Sequence, residues 1–305
     1  MHPEVFDQRQ IRRAFSRAAR GYDAAAALQR ESERALLESL DYYVAERGDT
    51  HPPQRVLDLG SGPGRGAAAM RRRWPKAQVL AFDLALPMLQ QAARGERWHP
   101  LRRGVERVCA DARALPLADD SIDVLFSNLC LQWVADLPAV FAGFRRVLRP
   151  GGLLLVSTFG PDTLQELRDA FADAERDDGR AQHVSPFASI AQFGDALMHA
   201  GFRDPVLDRD LHLSRYPDLP ALMRELRTLG ATNALQARRH TLTGKARFAH
   251  AAAAYAREDG AGGLLPATWE IITAMAWAPP AGAPIREGDF EIARFPAGAI
   301  PVRRR

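Results

Sequence analysis

Residues 56–66, Val-Leu-Asp-Leu-Gly-Ser-Gly-Pro-Gly-Arg-Gly, constrain this chain more than any other stretch. A short apolar run carries one acid, and glycine then stands at every second position. The run reads as a buried parallel strand. The glycines permit a tight turn and let main chain approach a ligand closely. A helix predicted from about Gly66 to Arg73 aims its free N–H groups at the same point. Strand, glycine loop and helix N-terminus together make a nucleotide-type pocket.

The spacing discriminates among nucleotides. A dinucleotide fingerprint needs G-x-G-x-x-G, and its third glycine position here is Arg65. A P-loop ends in Gly-Lys-Ser/Thr, which is absent. The G-x-G-x-G spacing after an acid resembles the class I methyltransferase signature, whose ligand is S-adenosylmethionine. That resemblance implies that Asp58 shapes the loop near the methionine amino end, with Gly60, Ser61, Gly62 and Gly64 as the cradle. Taken alone, the motif also fits an ordinary glycine-rich turn.

The following strands narrow the choice. Gln78 to Asp83 is a second β-type run closing in an acid nineteen residues past Gly64. An acid about twenty residues on, at the end of the second strand, accepts ribose hydroxyl hydrogens, and Leu84 adjoins it. Arg107 to Ala112 predicts a third strand with Asp111 near its end; the methyltransferase pattern puts this acid on the adenine amino group and the Ala112 N–H on a ring nitrogen. Ser121 to Asn128 predicts a fourth strand, and Leu129 to Trp133 an apolar segment covering the ligand. Asp58, Asp83 and Asp111 then converge on one edge of a parallel sheet, where open α/β sheets bind ligands.

Leu137, Phe141, Phe144 and Leu148 share one helical face, and Arg149-Pro150-Gly151-Gly152 reads as the breaker before a strand over 153–159. Five β-type runs alternating with helices predict an α/β fold with a doubly wound, mostly parallel, Rossmann-like sheet. Before it, Ile11, Phe15 and Ala18 or Ala19 mark one helix and residues 24–46 a longer one, a lid joined through Gly21-Tyr22-Asp23. After it, helices are expected over 161–175, 189–200, 218–229 and 243–257, strands over 206–214 and 269–277, and a flexible break over 176–180. The expected organisation is a helical lid (1–52), a cofactor-binding core (53–160), a helical cap with the final strands (161–280) and a basic tail (281–305).

Hydrophobic residues make up 47% of the 305, enough for a substantial core. No run approaches the ~18 apolar residues of a membrane span, and residues 1–7 carry no apolar signal region, so the expectation is a cytoplasmic chain. No Cys/His cluster has metal spacing, so no metal is expected. Cys109 and Cys130 fall in or beside predicted core strands, as buried reduced thiols. The net charge is +4, with arginine clusters at 12–13, 71–73, 102–103, 238–239 and 303–305. These read either as a solvated surface or as a face for an acidic partner; no nucleic-acid module accompanies them.

Beyond the core motif, residues 11–19 with Tyr22-Asp23, Leu115-Pro116-Leu117, Ser127 to Trp133, Gly160 to Leu167, His183-Val184-Ser185-Pro186-Phe187 and Leu229 to Asn233 resemble the malonyl-acyl-carrier-protein O-methyltransferases of biotin synthesis. The resemblance implies S-adenosylmethionine as cofactor, an acidic acyl carrier protein as partner, and no nucleic-acid or membrane partner. It implies that Tyr22 and His183 orient the methyl group or acceptor, with Asn128 and Leu129 beside the cofactor. A carboxylate acceptor is already anionic, so no general base is required and positioning carries the catalysis. Pro186 departs from the family, which often carries Arg there as a partner for the substrate carboxylate; Arg180, Arg224 and Arg227 are the substitutes. Proline there is shared with methyltransferase-like assembly factors of respiratory complex I. That branch and the small-acid or quinone-pathway methyltransferases are the alternatives.

Overall fold

A computed structural model describes residues 5–47, 51–95, 104–174, 183–238, 244–258, 263–282, 285–287 and 290–292. Four helices come first: α1 (Gln8–Ala18), α2 (Tyr22–Ala25), α3 (Ala27–Glu38) and α4 (Asp41–Arg47). The alternating core follows: β1 (Arg55–Leu59), α5 (Arg65–Arg73), β2 (Gln78–Asp83), α6 (Leu86–Gly95), β3 (Glu106–Cys109), β4 (Ile122–Ser127), α7 (Leu137–Val147) and β5 (Leu148–Phe159). Then come α8 (Gln165–Ala174), α9 (Ile190–His199), β6 (Arg203–Tyr216), α10 (Leu219–Thr228), α11 (Lys245–Ala254) and β7 (Leu265–Trp277). A separate short pair, β8 (Ile285–Glu287) and β9 (Phe290–Ile292), follows.

Seven strands form one sheet in the order β3-β2-β1-β4-β5-β7-β6. β1 to β5 run parallel to one another in it, while β7 runs antiparallel to both β5 and β6. The order reverses at β1, so the crevice past its carboxyl end lies between crossovers to opposite faces. The register aligns the strand ends: Leu59 pairs with Phe82, Asp83 with Cys109, Asp58 with Phe126 and Ser127 with Val156.

Both faces are buried, which is why these strands read as continuous apolar runs. Side chains alternate between faces. Leu57, Leu80, Phe82 and Leu125 meet Phe141, Phe144 and Phe193 on one side. Val56, Val79, Val124 and Phe126 meet Leu36, Leu40, Met70 and Trp74 on the other. Asp58 lies between Leu57 and Leu59 and therefore points with the second set, toward α5.

Several boundaries differ from the sequence reading. The expected helix over 24–46 is three pieces, bent at Ala26 and at Ser39–Leu40; the second bend seats Leu36, Leu40 and Tyr43 in one cluster against the sheet. The Arg-Pro-Gly-Gly breaker is the irregular start of β5, where the Gly151 N–H donates to Ala278 O at 3.0 Å. β3 ends at Cys109, so Asp111 sits in the loop beyond it. Cys109 is exposed and Cys130 only half-buried, correcting the expectation of two buried thiols; β3 is an edge strand with one side open. Arg102, Arg103, Arg180, Arg239, Arg303 to Arg305, the 176–180 break and most of the 281–305 tail lie outside the described residues.

Candidate active site

The turn after β1 is built on left-handed backbone. Gly60, Gly62 and Gly64 have φ of 69°, 51° and 82°, a region L-residues enter only at a cost. The Gly60 and Ser61 N–H groups donate to Phe82 O at 2.8 and 3.0 Å. A Cβ on Gly60 would lie 2.6 Å from Cys130, and one on Gly64 2.7 Å from Ala92; one on Gly62 would meet nothing within 4 Å. Gly60 and Gly64 are thus close-packed, while Gly62 faces open space.

Two acids fasten this turn. Asp58, 2% exposed, accepts the Ala67 N–H of the first turn of α5 at 2.6 Å. Asp83 accepts the Gly62 N–H at 2.9 Å with Oδ2 and the Ala85 N–H at 2.8 Å with Oδ1. Burial raises the Asp58 carboxyl well above its ordinary value, with the Glu33 and Asp83 charges adding to it. Burial pushes Asp83 up to about 6 against the pull of its two N–H donors. Asp111 differs: burial raises it, but the Arg113 hydrogen bonds and charge outweigh that and hold it below its ordinary value. Arg113 grips it at 2.8 Å.

Asn128 joins the lid to the sheet. Its Oδ1 accepts from Ser32 Oγ and Ser157 Oγ, both at 2.8 Å, and its Nδ2 donates to Gln29 O at 3.0 Å. Leu129 follows with φ 46° and donates its N–H to Ser157 O at 3.1 Å.

Two cavities meet here. One, of about 90 Å³, is lined by Gly60, Gly62, Asp83, Leu84, Asp111, Ala112, Asn128 and Leu129. A recess of about 30 Å³ beside it holds Asp58, Ser61, Glu33 and Arg65. The other, about 420 Å³, is walled by Phe159, Leu164, Phe171 and Trp269 and carries His183, Gln132, Thr232, Arg227 and Arg238. Tyr22 lines all three spaces, and Phe15, Leu129 and Trp133 line both larger ones.

Asp83 and Asp111 line the first cavity, and Asp58, which pairs with Ala81 and so lies on the same face of the sheet as Asp83, lines the recess beside it; Tyr22, Gly60, Gly62 and Asn128 border both spaces. Gly64 lines neither space. His183 and Tyr22 do come together in the larger cavity, where the His183 ring stacks on Phe171 at 4.1 Å. Of the arginines considered for the acceptor, Arg227 lines this cavity and Arg224 does not. Sequence reasoning missed Gln29 and Glu33, which face the recess from α3. Their i, i+4 spacing on one helix face was the available signal. Burial raises the Glu33 carboxyl, and Arg65 Nε lies 3.6 Å from it.

Over 302 residues the chain is 58% identical to the Malonyl-[acyl-carrier protein] O-methyltransferase of Xylella fastidiosa (strain M23), covering 99% of this chain and 98% of that one. The chain belongs to the malonyl-acyl-carrier-protein O-methyltransferase family. The family member from Gallionella capsiferriformans (strain ES-2) is 42% identical over 284 residues, 92% of this chain and 93% of that one. A Methyltransferase domain family matches residues 57–156. The YcgJ protein of Bacillus subtilis, 16% identical, superposes with a TM-score of 0.53 over 80% of this chain and 99% of its own; it shares the fold.

S-adenosylmethionine is the cofactor of this methyltransferase family, and the cavity residues fit it. Buried polar atoms almost always have partners. Among the described residues, Ser61 Oγ, Gln29 Oε1, Gln132 Oε1 and Thr232 Oγ1 are buried with none. Ser61 and Gln29 face the recess, and Gln29, Gln132 and Thr232 the larger cavity. Such atoms on both sides of Tyr22 suit a polar ligand that spans the junction.

Proposed function

We propose that this protein methylates the free carboxylate of malonyl-acyl carrier protein, an early step of biotin synthesis, with S-adenosylmethionine as methyl source and the cytoplasm as its compartment. The observation that carries the reading is the shared wall at Tyr22, which separates a glycine-loop cavity from an arginine-bearing cavity large enough for a small acyl group. The names of the relatives support the acceptor. The complex I assembly-factor reading has no observation in its favour.

When bound, the cofactor supplies an electrophilic methyl group on a sulfonium. Asp83 would hold the ribose hydroxyls with the lone pairs its two N–H donors leave open. Asp111 and Ala112 would meet the adenine edge, with Leu84 and Leu129 on its faces. Asp58 would keep the loop and α5 in register, leaving Ser61 and the Glu33–Arg65 pair for the charged amino-acid end. Gly60, Gly62 and Gly64 would let main chain pass close by, and Asn128 would pin α3 over the site. Arg227 would bind the acceptor carboxylate; Tyr22 and His183 would orient it. The acceptor is anionic at neutral pH, so the protein's work is positioning and exclusion of water. The apolar wall of Phe159, Leu164, Phe171 and Trp269 suits that work.

The test is a methyl-transfer assay on malonyl-carrier protein, read by mass spectrometry for the gain of one CH₂. A folded, cofactor-bound protein that produces no gain defeats the reading.

A further inference from the structure

α1 carries a row of arginines that neither cavity uses. Arg9, Arg13 and Arg17 stand at i, i+4 and i+8, one face of the helix, with Arg12 beside them. All four are exposed, and no acid occurs between Gln8 and Ala18. Among the described residues none of the four has an ion-pair partner. Several other exposed arginines are matched, among them Arg73 with Asp41, Arg146 with Asp119 and Arg215 with Glu258.

The opposite face of α1 belongs to the site. Ile11 and Ala18 are buried, Phe15 lines both larger cavities, and Gln10 lines the 420 Å³ cavity. α1 packs against α10, where Arg224 is also exposed. A row of unmatched cations thus lies along the back of the helix that walls the acceptor cavity. Such a row raises the local potential and speeds the approach of an anionic partner.

We propose that the α1 arginine row is the docking surface for the acidic face of the acyl carrier protein, which enters its tethered malonyl thioester beside Gln10. This rests on the function proposed above and selects one arginine cluster among several on the chain.

The test compares wild type with Arg13→Glu/Arg17→Glu, and with Arg34→Glu/Arg72→Glu as a charge-matched change on α3 and α5. Binding of fluorescently labelled malonyl-carrier protein is measured by anisotropy. Methyl transfer is measured on malonyl-carrier protein and on malonyl-N-acetylcysteamine, a thioester with no protein attached. The α1 variant is expected to weaken carrier-protein binding and raise its KM by about tenfold or more, and to flatten the salt dependence of kcat/KM. Its rate on the small thioester should stay within roughly twofold of wild type, since no charge there needs steering. The α3/α5 variant should match wild type on both. Unchanged carrier-protein affinity in the α1 variant overturns the docking surface. So does an equal loss on both substrates, or a larger effect from the α3/α5 variant. Wild type that binds carrier protein through α1 yet transfers no methyl group leaves the docking surface standing and removes the proposed reaction.

Discussion

Asp83 ties the end of β2 to the middle of the glycine loop, its Oδ2 accepting the Gly62 N–H at 2.9 Å while Oδ1 accepts the Ala85 N–H. A single carboxylate therefore shapes the loop and presents its remaining lone pairs to the cavity. Burial pushes this carboxyl up to about 6. Ribose hydroxyls donate to the ionised form, so cofactor affinity should hold above pH 6 and fall below it, approaching about tenfold per pH unit. The sign for the cofactor-free fold is the reverse. A carboxyl whose folded value lies above its unfolded one stabilises the fold at low pH, and that contribution is lost as pH rises through about 6. Asp58 and Glu33 are also raised by burial, so the comparison needs Asp83→Asn. Calorimetry with S-adenosylhomocysteine should show wild type losing affinity on acidification more steeply than Asp83→Asn. Identical slopes would show that Asp83 does not control binding. Asp83→Ala should weaken binding by about 1–3 kcal/mol at neutral pH.

Gly60→Ala and Gly62→Ala separate packing from ligand contact within one turn. Both positions have left-handed backbone, which costs an alanine about 1–2 kcal/mol. At Gly60 the new Cβ also meets Cys130 at 2.6 Å, whereas at Gly62 it meets nothing within 4 Å. Urea unfolding should find Gly60→Ala destabilised by about 2–4 kcal/mol, overpacking added to strain. Gly62→Ala should lose only the smaller amount yet bind cofactor poorly, its methyl group standing where the ligand belongs. Equal stabilities for the two would contradict the packing at Cys130.

Asp83 was legible because it closes an apolar run with a known spacing from the glycines, and β1, β2 and β4 were legible because parallel strands buried on both faces are continuous in sequence. Asp58 was legible as the acid inside the apolar run of β1, but its Ala67 contact was not, because only the packing of α5 on the face it shares with Asp83 brings that N–H within reach. The bends at Ala26 and Ser39–Leu40 carry no Gly or Pro and so leave no local signal; the second serves to bury Leu36, Leu40 and Tyr43 together. Gln29 and Glu33 enter the site because α3 lies over a loop far from it in sequence, a tertiary fact with no local signal beyond their shared helix face. Arg224 and Arg227 stood equal in sequence; the turn of α10 separates them, placing Arg227 with Met223 on the cavity wall.

Tyr22→Phe should expose the role of the shared wall. Burial, followed by the Asp83 and Glu33 charges, raises the Tyr22 phenol well above its ordinary value, so it remains a neutral O–H donor across the working range. Removing that hydroxyl keeps the ring that divides the cavities and deletes one positioning contact. Stopped-flow and steady-state assays should find kcat lowered by about 10–100-fold, with cofactor affinity nearly unchanged. The wild-type kcat profile should show no alkaline limb from this residue. Full activity in the phenylalanine variant would leave Tyr22 as a space-filling wall.

Arg227 and Arg238 line the same cavity, and their partners distinguish them. Arg238 is committed to Asp7 at 2.8 Å. The Asp7 carboxyl is held below its ordinary value by the Gln10 N–H first and by Arg238 next. Arg227, exposed on α10, has no ion pair among the described residues. An acceptor carboxylate must displace Asp7 to reach Arg238 and displaces nothing to reach Arg227. Arg227→Ala should therefore raise the KM for malonyl-carrier protein by about 30–100-fold, the loss of a charge-assisted hydrogen bond worth about 2–3 kcal/mol, with an unchanged melting temperature. Arg227→Lys should recover part of that, because it restores the charge without the paired N–H geometry. Arg238→Ala should instead lower the melting temperature by releasing the start of α1 from the loop after α10. If Arg238→Ala raises KM while Arg227→Ala leaves it alone, the carboxylate partner is Arg238 and Asp7 is the group it must displace.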